Sequence, residues 1–284
     1  MVHVIIMAGG KGTRMKSDIP KVLHPVRGVP IINRVLLSVE PLCARPTLVV
    51  GYKADDVIAA TGGKDGKYSY ARQKEPLGTG HAVMSAKDLL SPRSDIKTII
   101  VLNGDHPLIR TETIRDLAAL HARNKATITL GTFRVPDYDG IHSIFNGWGR
   151  IIRNPDGRVE KIVEFKDASE AERAIREVNL NYYCFNAAWL WQNIDALEKN
   201  NAAGEYYLTD MVKIAKDQGR PVSTFEVKEF TECLGINTIE QLRMVEEAID
   251  MSTPVSDNMS DKISAQMPAQ KVVVRGEPRP VTKS

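Results

Sequence analysis

Residues 2–25 read VHVIIMAGGKGTRMKSDIPKVLHP. The apolar run Val4–Met7 stops at Ala8, and a loop of glycines and cations follows: Gly9, Gly10, Lys11, Gly12, Thr13 and Arg14, with Lys21 after Pro20. An apolar strand that opens into such a loop suits a polyphosphate. Glycine lets the backbone approach closely and aim its N–H groups at oxygens, while Lys and Arg offset the negative charge. Two familiar phosphate loops do not fit. A Walker A loop needs Ser or Thr after its lysine, where Gly12 stands, and GxGxxG needs a third glycine where Met15 stands. Taken alone, the stretch is a phosphate loop of another kind or a tight strand-to-helix turn.

Outward from the loop, strands are predicted at Val2–Met7, Thr47–Gly51, Tyr68–Arg72 and Thr98–Leu102. Ile31, Val35, Leu36, Val39 and Leu42 recur at helical spacing behind Pro30, and further helices are predicted at Ala54–Ala60, Thr79–Leu90 and Thr111–Arg123. This alternation predicts an α/β fold, Rossmann-like and doubly wound, around a mostly parallel sheet. Ligands of such sheets sit beyond the carboxyl ends of the strands. The Gly9–Arg14 loop and Asn103-Gly104-Asp105 are therefore expected to be neighbours. In the second half, Thr127–Arg134, Gly149–Arg153, Val159–Glu164 and Val178–Phe185 read as strands. Ala187–Lys199, Tyr206–Gln218 and Ile239–Ile249 read as helices. This half is expected to continue the sheet and add a substrate-facing wall. Pro136–Trp148, rich in Asp, Gly and aromatic residues, reads as a loop. Residues 251–284, where Ser, Asp, Pro and Lys become frequent, read as a flexible tail.

The 284 residues, 43% hydrophobic and 26% charged, can bury a sizeable core. A net charge of +3 without a dense Lys/Arg run argues against a nucleic-acid partner. No stretch approaches the ~18 apolar residues of a membrane span, and no basic N-terminal region precedes a long apolar core, so neither a membrane partner nor a secretory signal is expected. The three cysteines, Cys43, Cys184 and Cys233, are far apart and odd in number, which fits a reducing cytoplasm. The six histidines show no metal-ligand spacing; His24, His81 and His106 lie near motifs and receive no role.

Ala8–Met15 followed by Pro20-Lys21-Val22-Leu23 resembles the signature of the sugar-1-phosphate nucleotidylyltransferases. Within them, the resemblance is closest to the uridylyltransferase domain of the bacterial bifunctional N-acetylglucosamine-1-phosphate uridylyltransferases. It continues in order through Gln73 with Leu77-Gly78-Thr79-Gly80-His81-Ala82, Asn103-Gly104-Asp105 and Gly149-Arg150-Ile151. Glu164–Ala168, Glu177-Val178-Asn179, Gly204–Asp210 and Gly235-Ile236-Asn237 complete it. It implies one nucleotidylyltransferase domain over 1–250, with a nucleotide half at about 1–125 and a sugar-binding half at about 126–250. The substrates it implies are UTP and a sugar 1-phosphate, N-acetylglucosamine 1-phosphate in the first place, with magnesium as cofactor.

The chemistry is consistent with the residues. A sugar-1-phosphate oxygen attacks the α-phosphorus of UTP and pyrophosphate leaves. With a second phosphate pKa of ~6 the nucleophile is already ionised, so no general base is needed, and no Ser/His/Asp or paired-carboxylate signature is present. The reaction needs positioning and charge neutralisation. The resemblance implies Arg14 and Lys21 as the cationic clamp, and Asp105 with Asn237 as magnesium ligands, since one carboxylate and one amide oxygen suffice beside phosphates and waters. It implies Ala8, Gly9, Gly10, Lys11, Gly12, Thr13, Gln73, Gly78 and Thr79 around the nucleotide, with the Gln73 amide on the uracil edge. Asn103, Gly104, Gly149, Glu164, Lys166 and Asn179 fall at the sugar. Read singly, each has a plainer role: a solvated charge at Arg14, Lys21 or Lys166, a turn at Asp105, a helix cap at Thr79 or Asn237.

The chain departs from the family in four places. Too few residues follow Asp250 for the hexapeptide-repeat acetyltransferase domain, so that activity is not expected. Asn103 stands where Tyr is usual. Leu180-Asn181 stands where Thr-Gly is usual. Pro136–Trp148 is longer than the matching loop. The last three fall on the sugar side and leave open another hexose 1-phosphate, such as glucose 1-phosphate. A non-catalytic nucleotide-sugar-binding module is the remaining alternative.

Overall fold

A computed structural model describes residues 1–63 and 65–251. The first strand, β1 (Val2–Ala8), has a parallel partner on each side. With both faces covered, Val4, Ile5 and Ile6 are buried in succession instead of alternating with polar residues. Two short strands, β2 (Pro25–Val26) and β3 (Val29–Pro30), form a separate hairpin leading into α1 (Ile31–Val39). Then come β4 (Thr47–Val50), α2 (Ala54–Ala60), β5 (Ser69–Arg72), α3 (Thr79–Met84), α4 (Lys87–Leu90), β6 (Thr98–Asn103) and α5 (Thr111–Arg123). The second half contributes β7 (Ile128–Arg134), β8 (Arg150–Arg153), β9 (Val159–Val163), α6 (Glu170–Arg173) and β10 (Glu177–Asn186). It ends with α7 (Ala187–Asn193), α8 (Asp210–Asp217), β11 (Val222–Glu226) and α9 (Ile239–Met251).

The strand order is β11-β7-β10-β6-β1-β4-β5. Strands β5, β4, β1 and β6 run parallel, as do β7 and β11; β10 is antiparallel to both β6 and β7. The β8–β9 hairpin attaches through β8 to β10. The fold is thus α/β with a mostly parallel central sheet. Residues 1–247 make one compact unit. The expected tail at 251–284 lies, apart from Met251, outside the described residues.

Four sequence expectations are corrected. The helix predicted over Thr79–Leu90 is two, α3 and α4. That predicted over Ala187–Lys199 ends at Asn193 and passes into one 3-10 turn, Ile194–Ala196. The helix predicted from Tyr206 begins at Asp210, because the residues before it pair with the loop ahead of α3: Tyr206 N–H donates to Leu77 O (2.8 Å), and Gly80 N–H donates to Tyr206 O (2.7 Å). Strand β11 was not anticipated; its residues are only half-buried and carry no clear alternation.

The fourth correction concerns Pro136–Trp148, which is not an open loop. Gly140–Phe145 forms a 3-10 helix, and Phe145 is completely buried. The Phe145 ring packs against Phe133 (5.2 Å between centroids), Trp148 (5.1 Å) and Phe230 (5.8 Å). Beneath the segment lies Arg150, which is fully buried. Its guanidinium donates to the carbonyls of Phe145, Asn146, Trp148 and Arg173, and it stacks on the Tyr138 ring at 4.6 Å. Burial lowers the Arg150 pKa. Carbonyl dipoles take the place of a carboxylate partner.

Replacing Phe145 by Ala empties the centre of this cluster and should cost about 3–5 kcal/mol of stability. Urea unfolding of the variant measures it; a loss below about 1 kcal/mol would contradict a packed segment.

Candidate active site

The carboxyl ends of β1 and β6 are aligned, Met7 opposite Asn103, and the Gly104 N–H donates to Met7 O (2.9 Å). The glycine loop and Asn103-Gly104-Asp105 are therefore neighbours. Between them and the loop before α3 lies a cavity of about 290 Å³. Ala8, Gly9, Gly10, Lys21, Gln73, Gly78, Thr79, Asn103 and Asp105 line it, together with Met7, Val22, Pro76, Ala82 and Glu205.

At its floor the Lys21 ammonium donates to Asp105 Oδ2 and to Asn237 Oδ1 (2.8 Å). Burial works against the charge on Asp105, but Lys21 beside it, with His106, more than offsets this and holds the carboxyl below its usual pKa. The other carboxylate oxygen, Asp105 Oδ1, is buried without a hydrogen-bond partner. Asn237 arrives from far along the chain because the segment before α9 is tied to the end of β6. Ile236 N–H donates to Asp105 O (3.0 Å), and the Arg110 backbone and guanidinium donate to the buried Glu232 carboxylate (3.0 and 2.7 Å). Helix α9 is capped by Thr238, whose Oγ1 accepts from Gln241 N–H (3.2 Å). That leaves the Asn237 side chain to Lys21, not to a cap.

Gly12 makes the approach of Lys21 possible. It sits at φ 63°, and a Cβ there would lie 2.6 Å from Lys21 Cβ. Gly78, at φ 103°, leaves room for Tyr206 O, which a Cβ would meet at 2.6 Å. Thr79 does not cap α3; its Oγ1 accepts from Leu208 N–H (3.0 Å). The Gln73 amide group donates to Gly78 O (3.1 Å) and contacts His81 Nδ1 (3.3 Å), so Gln73 offers the cavity its acceptor oxygen rather than both functions. Lys11, Gly12, Thr13 and Arg14 do not line the cavity. Lys11 lies over the Tyr52 ring (5.6 Å), and the Arg14 side chain is exposed.

Three residues expected at the sugar form a second cluster. Asn179 N–H donates to Gly149 O (2.9 Å), and a Cβ on Gly149 would stand 3.4 Å from both Glu164 oxygens. The Asn179 amide donates to Asn181 Oδ1 (2.7 Å) and Tyr183 Oη (2.8 Å). Burial, together with the nearby charges of Asp210, Asp167 and Glu205, pushes the Glu164 carboxyl up to about 7. Asn181 is left-handed (φ 56°) at an irregularity in β10 between Asn179 and Tyr183. Asn tolerates that conformation, so it can stand in for a glycine. Lys166 is exposed and joins neither group. Glu205, within Gly204–Asp210, also lines the cavity. His106, buried beside Asp105, carries no recognisable spacing in sequence.

Residues 4–204 match the MobA-like NTP transferase domain. The Bifunctional protein GlmU of Brevibacillus brevis is 40% identical over 245 residues, 86% of this chain and 51% of the relative. That of Geobacillus thermodenitrificans is 44% identical over 236 residues, 83% of this chain and 49% of the relative. The chain spans about half the length of the curated relatives it matches. Among solved structures, a UDP-glucose pyrophosphorylase complexed with UDP-glucose superimposes with a TM-score of 0.65 at 17% identity, covering 88% of this chain and 99% of that one. At that identity the likeness concerns the fold.

Glu164 yields a pH test. Its folded pKa of about 7 lies above the ordinary 4.5, so the folded protein holds this proton more tightly than the unfolded chain. The resulting stabilisation is complete below pH 4.5 and is lost as the pH rises through about 7. Glu164→Gln should therefore gain on the wild type, by on the order of 2 kcal/mol, between pH 5 and pH 8. Parallel stability profiles for the two proteins in urea would refute the assignment.

Proposed function

The chain belongs to the MobA-like NTP transferase family, and we propose that it transfers UMP from UTP to N-acetylglucosamine 1-phosphate, releasing pyrophosphate and UDP-N-acetylglucosamine. One observation carries this reading. A single cavity is lined by Ala8, Gly9 and Gly10 at the start of the glycine loop, by Gln73 and by Lys21, whose ammonium touches both Asp105 and Asn237. Uracil fits against Gln73 Oε1 through its N3–H, with the backbone of Ala8, Gly10, Gly78 and Thr79 around the base. Lys21, now on Asp105, is the cation that turns to the phosphates. Arg14, on the exposed rim of the same loop, is the second. The sugar lies toward Asn103, Gly104 and the cluster of Gly149, Glu164 and Asn179.

The residues present fit magnesium. Asp105 and Asn237 offer one carboxylate and one amide oxygen within reach of a single cation, and Asp105 Oδ1 is a buried oxygen still lacking a partner. Bound there, the ion would supply charge neutralisation at the α-phosphate and the departing pyrophosphate. The chain's own work is to bind, align and neutralise; the sugar phosphate enters already ionised, and no residue need take a proton from it.

A second reading is the same transfer to glucose 1-phosphate, since Asn103 lines the cavity where the family pattern has Tyr. The setting we propose is the cytoplasm, where the three cysteines, all free and buried, stay reduced. No helix among the described residues is long and apolar enough to cross a membrane.

Pyrophosphate release over a panel of nucleoside triphosphates and sugar phosphates tests the proposal. UTP with N-acetylglucosamine 1-phosphate should turn over fastest; a clear preference for glucose 1-phosphate would install the second reading. Asp105→Ala should lower kcat by about 10²–10³ in a protein that still folds, and stripping with a chelator should abolish turnover until magnesium is restored. Near-normal turnover in folded Asp105→Ala would rule out the proposed metal site.

A further inference from the structure

The imidazole of His106 is buried against the floor of the cavity, between the rings of Trp148 (5.3 Å between centroids) and Tyr182 (5.2 Å). Gly235 makes room for it: a Cβ there would lie 2.7 Å from His106 Nε2. Its protonation pattern follows from its neighbours. Tyr182 Oη donates its one proton to Glu232 O (2.8 Å). The contact between His106 Nδ1 and Tyr182 Oη, at 2.6 Å, must then be an N–H of His106 donating to Tyr182. In the neutral ring this leaves a lone pair on Nε2, and Asn103 Nδ2 lies 3.3 Å from it. The second N–H of Asn103 faces Leu180 O at 3.4 Å. Both donors of the Asn103 amide are spent. Turned the other way, Asn103 Oδ1 would face a lone pair and a carbonyl.

We propose that His106 is a positioning residue that locks the Asn103 amide, so that this wall of the cavity meets its substrate with a hydrogen-bond acceptor alone, Asn103 Oδ1, suited to a sugar hydroxyl. The proposal rests on the function given above, whose site it refines. It makes position 103 a selective contact: a hydroxyl donates to it, whereas a carbonyl or a deoxygenated carbon cannot. The chain of command runs from Glu232 O through Tyr182 and His106 to Asn103. Specificity at the cavity wall is thus set by groups that never touch the substrate. The hydroxyl belongs either to the ribose of the nucleotide or to the ring of the sugar phosphate.

Two measurements test this. The first compares wild type with His106→Leu on 2′-deoxy-UTP, 3′-deoxy-UTP and sugar phosphates deoxygenated at single ring positions. In the wild type one analogue should lose roughly three- to tenfold in kcat/KM, and in His106→Leu that penalty should largely vanish. Which analogue responds identifies the hydroxyl. The proposal fails if no analogue is penalised in the wild type, or if every penalty survives unchanged in the variant. The second measurement is independent of any turnover. Long-range ¹H–¹⁵N correlations of the wild-type protein at pH 7 should show His106 protonated on Nδ1 and bare on Nε2; an Nε2–H tautomer overturns the lock. Absence of transfer by the wild type with any substrate pair would instead defeat the proposed function, leaving the tautomer to decide the lock.

Discussion

An ammonium group held between a carboxylate and an amide oxygen joins three remote parts of the chain. Lys21 follows the first strand, Asp105 follows β6, and Asn237 precedes α9. A buried carboxylate is tolerable only when its charge is answered, and breaking such a pair from one side typically costs 3–5 kcal/mol. The segment from Phe230 to Asn237 is therefore fixed by the needs of the site as much as by packing. The ties from Ile236 to Asp105 and from Arg110 to Glu232 hold the acceptors in place for the cation.

Much of the first half could be read from sequence because its signals are local. Apolar runs ending in glycine mark parallel strands buried on both faces, and Pro30 marks the start of α1. The neighbourhood of the glycine loop and Asp105 followed from one topological rule, that ligands gather at the carboxyl ends of parallel strands. The second half resisted for equally physical reasons. Tyr206 spends both backbone groups on Leu77 and Gly80, and Leu208 N–H goes to Thr79 Oγ1, so α8 starts late. Aromatic residues beside Asp and Gly look like a surface loop. What makes Pro136–Trp148 a packed element is Arg150, whose burial no periodicity reveals.

The residues that depart from the family pattern in the second half and at Asn103 are less disruptive than their chemistry implies. Asn181 keeps the left-handed turn that a glycine would make, and its side chain joins Asn179 and Tyr183 in a hydrogen-bonded trio. Asn103, smaller than an aromatic residue, sits beside a buried imidazole, and the Trp148 ring from the longer segment packs against that imidazole. Asn103, Leu180 and Trp148, which come from different stretches, thus meet around His106. Sequence reading placed these departures on one side of the site but could not show that they touch.

Arg150 and Lys21 differ in the length of chain each must gather. The carbonyl partners of Arg150 lie at most 23 residues away in sequence, whereas Lys21 reaches 84 residues to Asp105 and 216 to Asn237. Closing a loop costs more entropy the longer it is, and contacts of wide separation come late in assembly. The carbonyls around Arg150 are therefore gathered at less loop-closure cost than the partners of Lys21. The floor of the cavity, by contrast, closes on contacts 84 and 216 residues apart, which carry the larger loop-closure cost. The entropic cost of closing this chain is thus concentrated at the floor of its cavity, and that is where three remote segments must be brought into register at once.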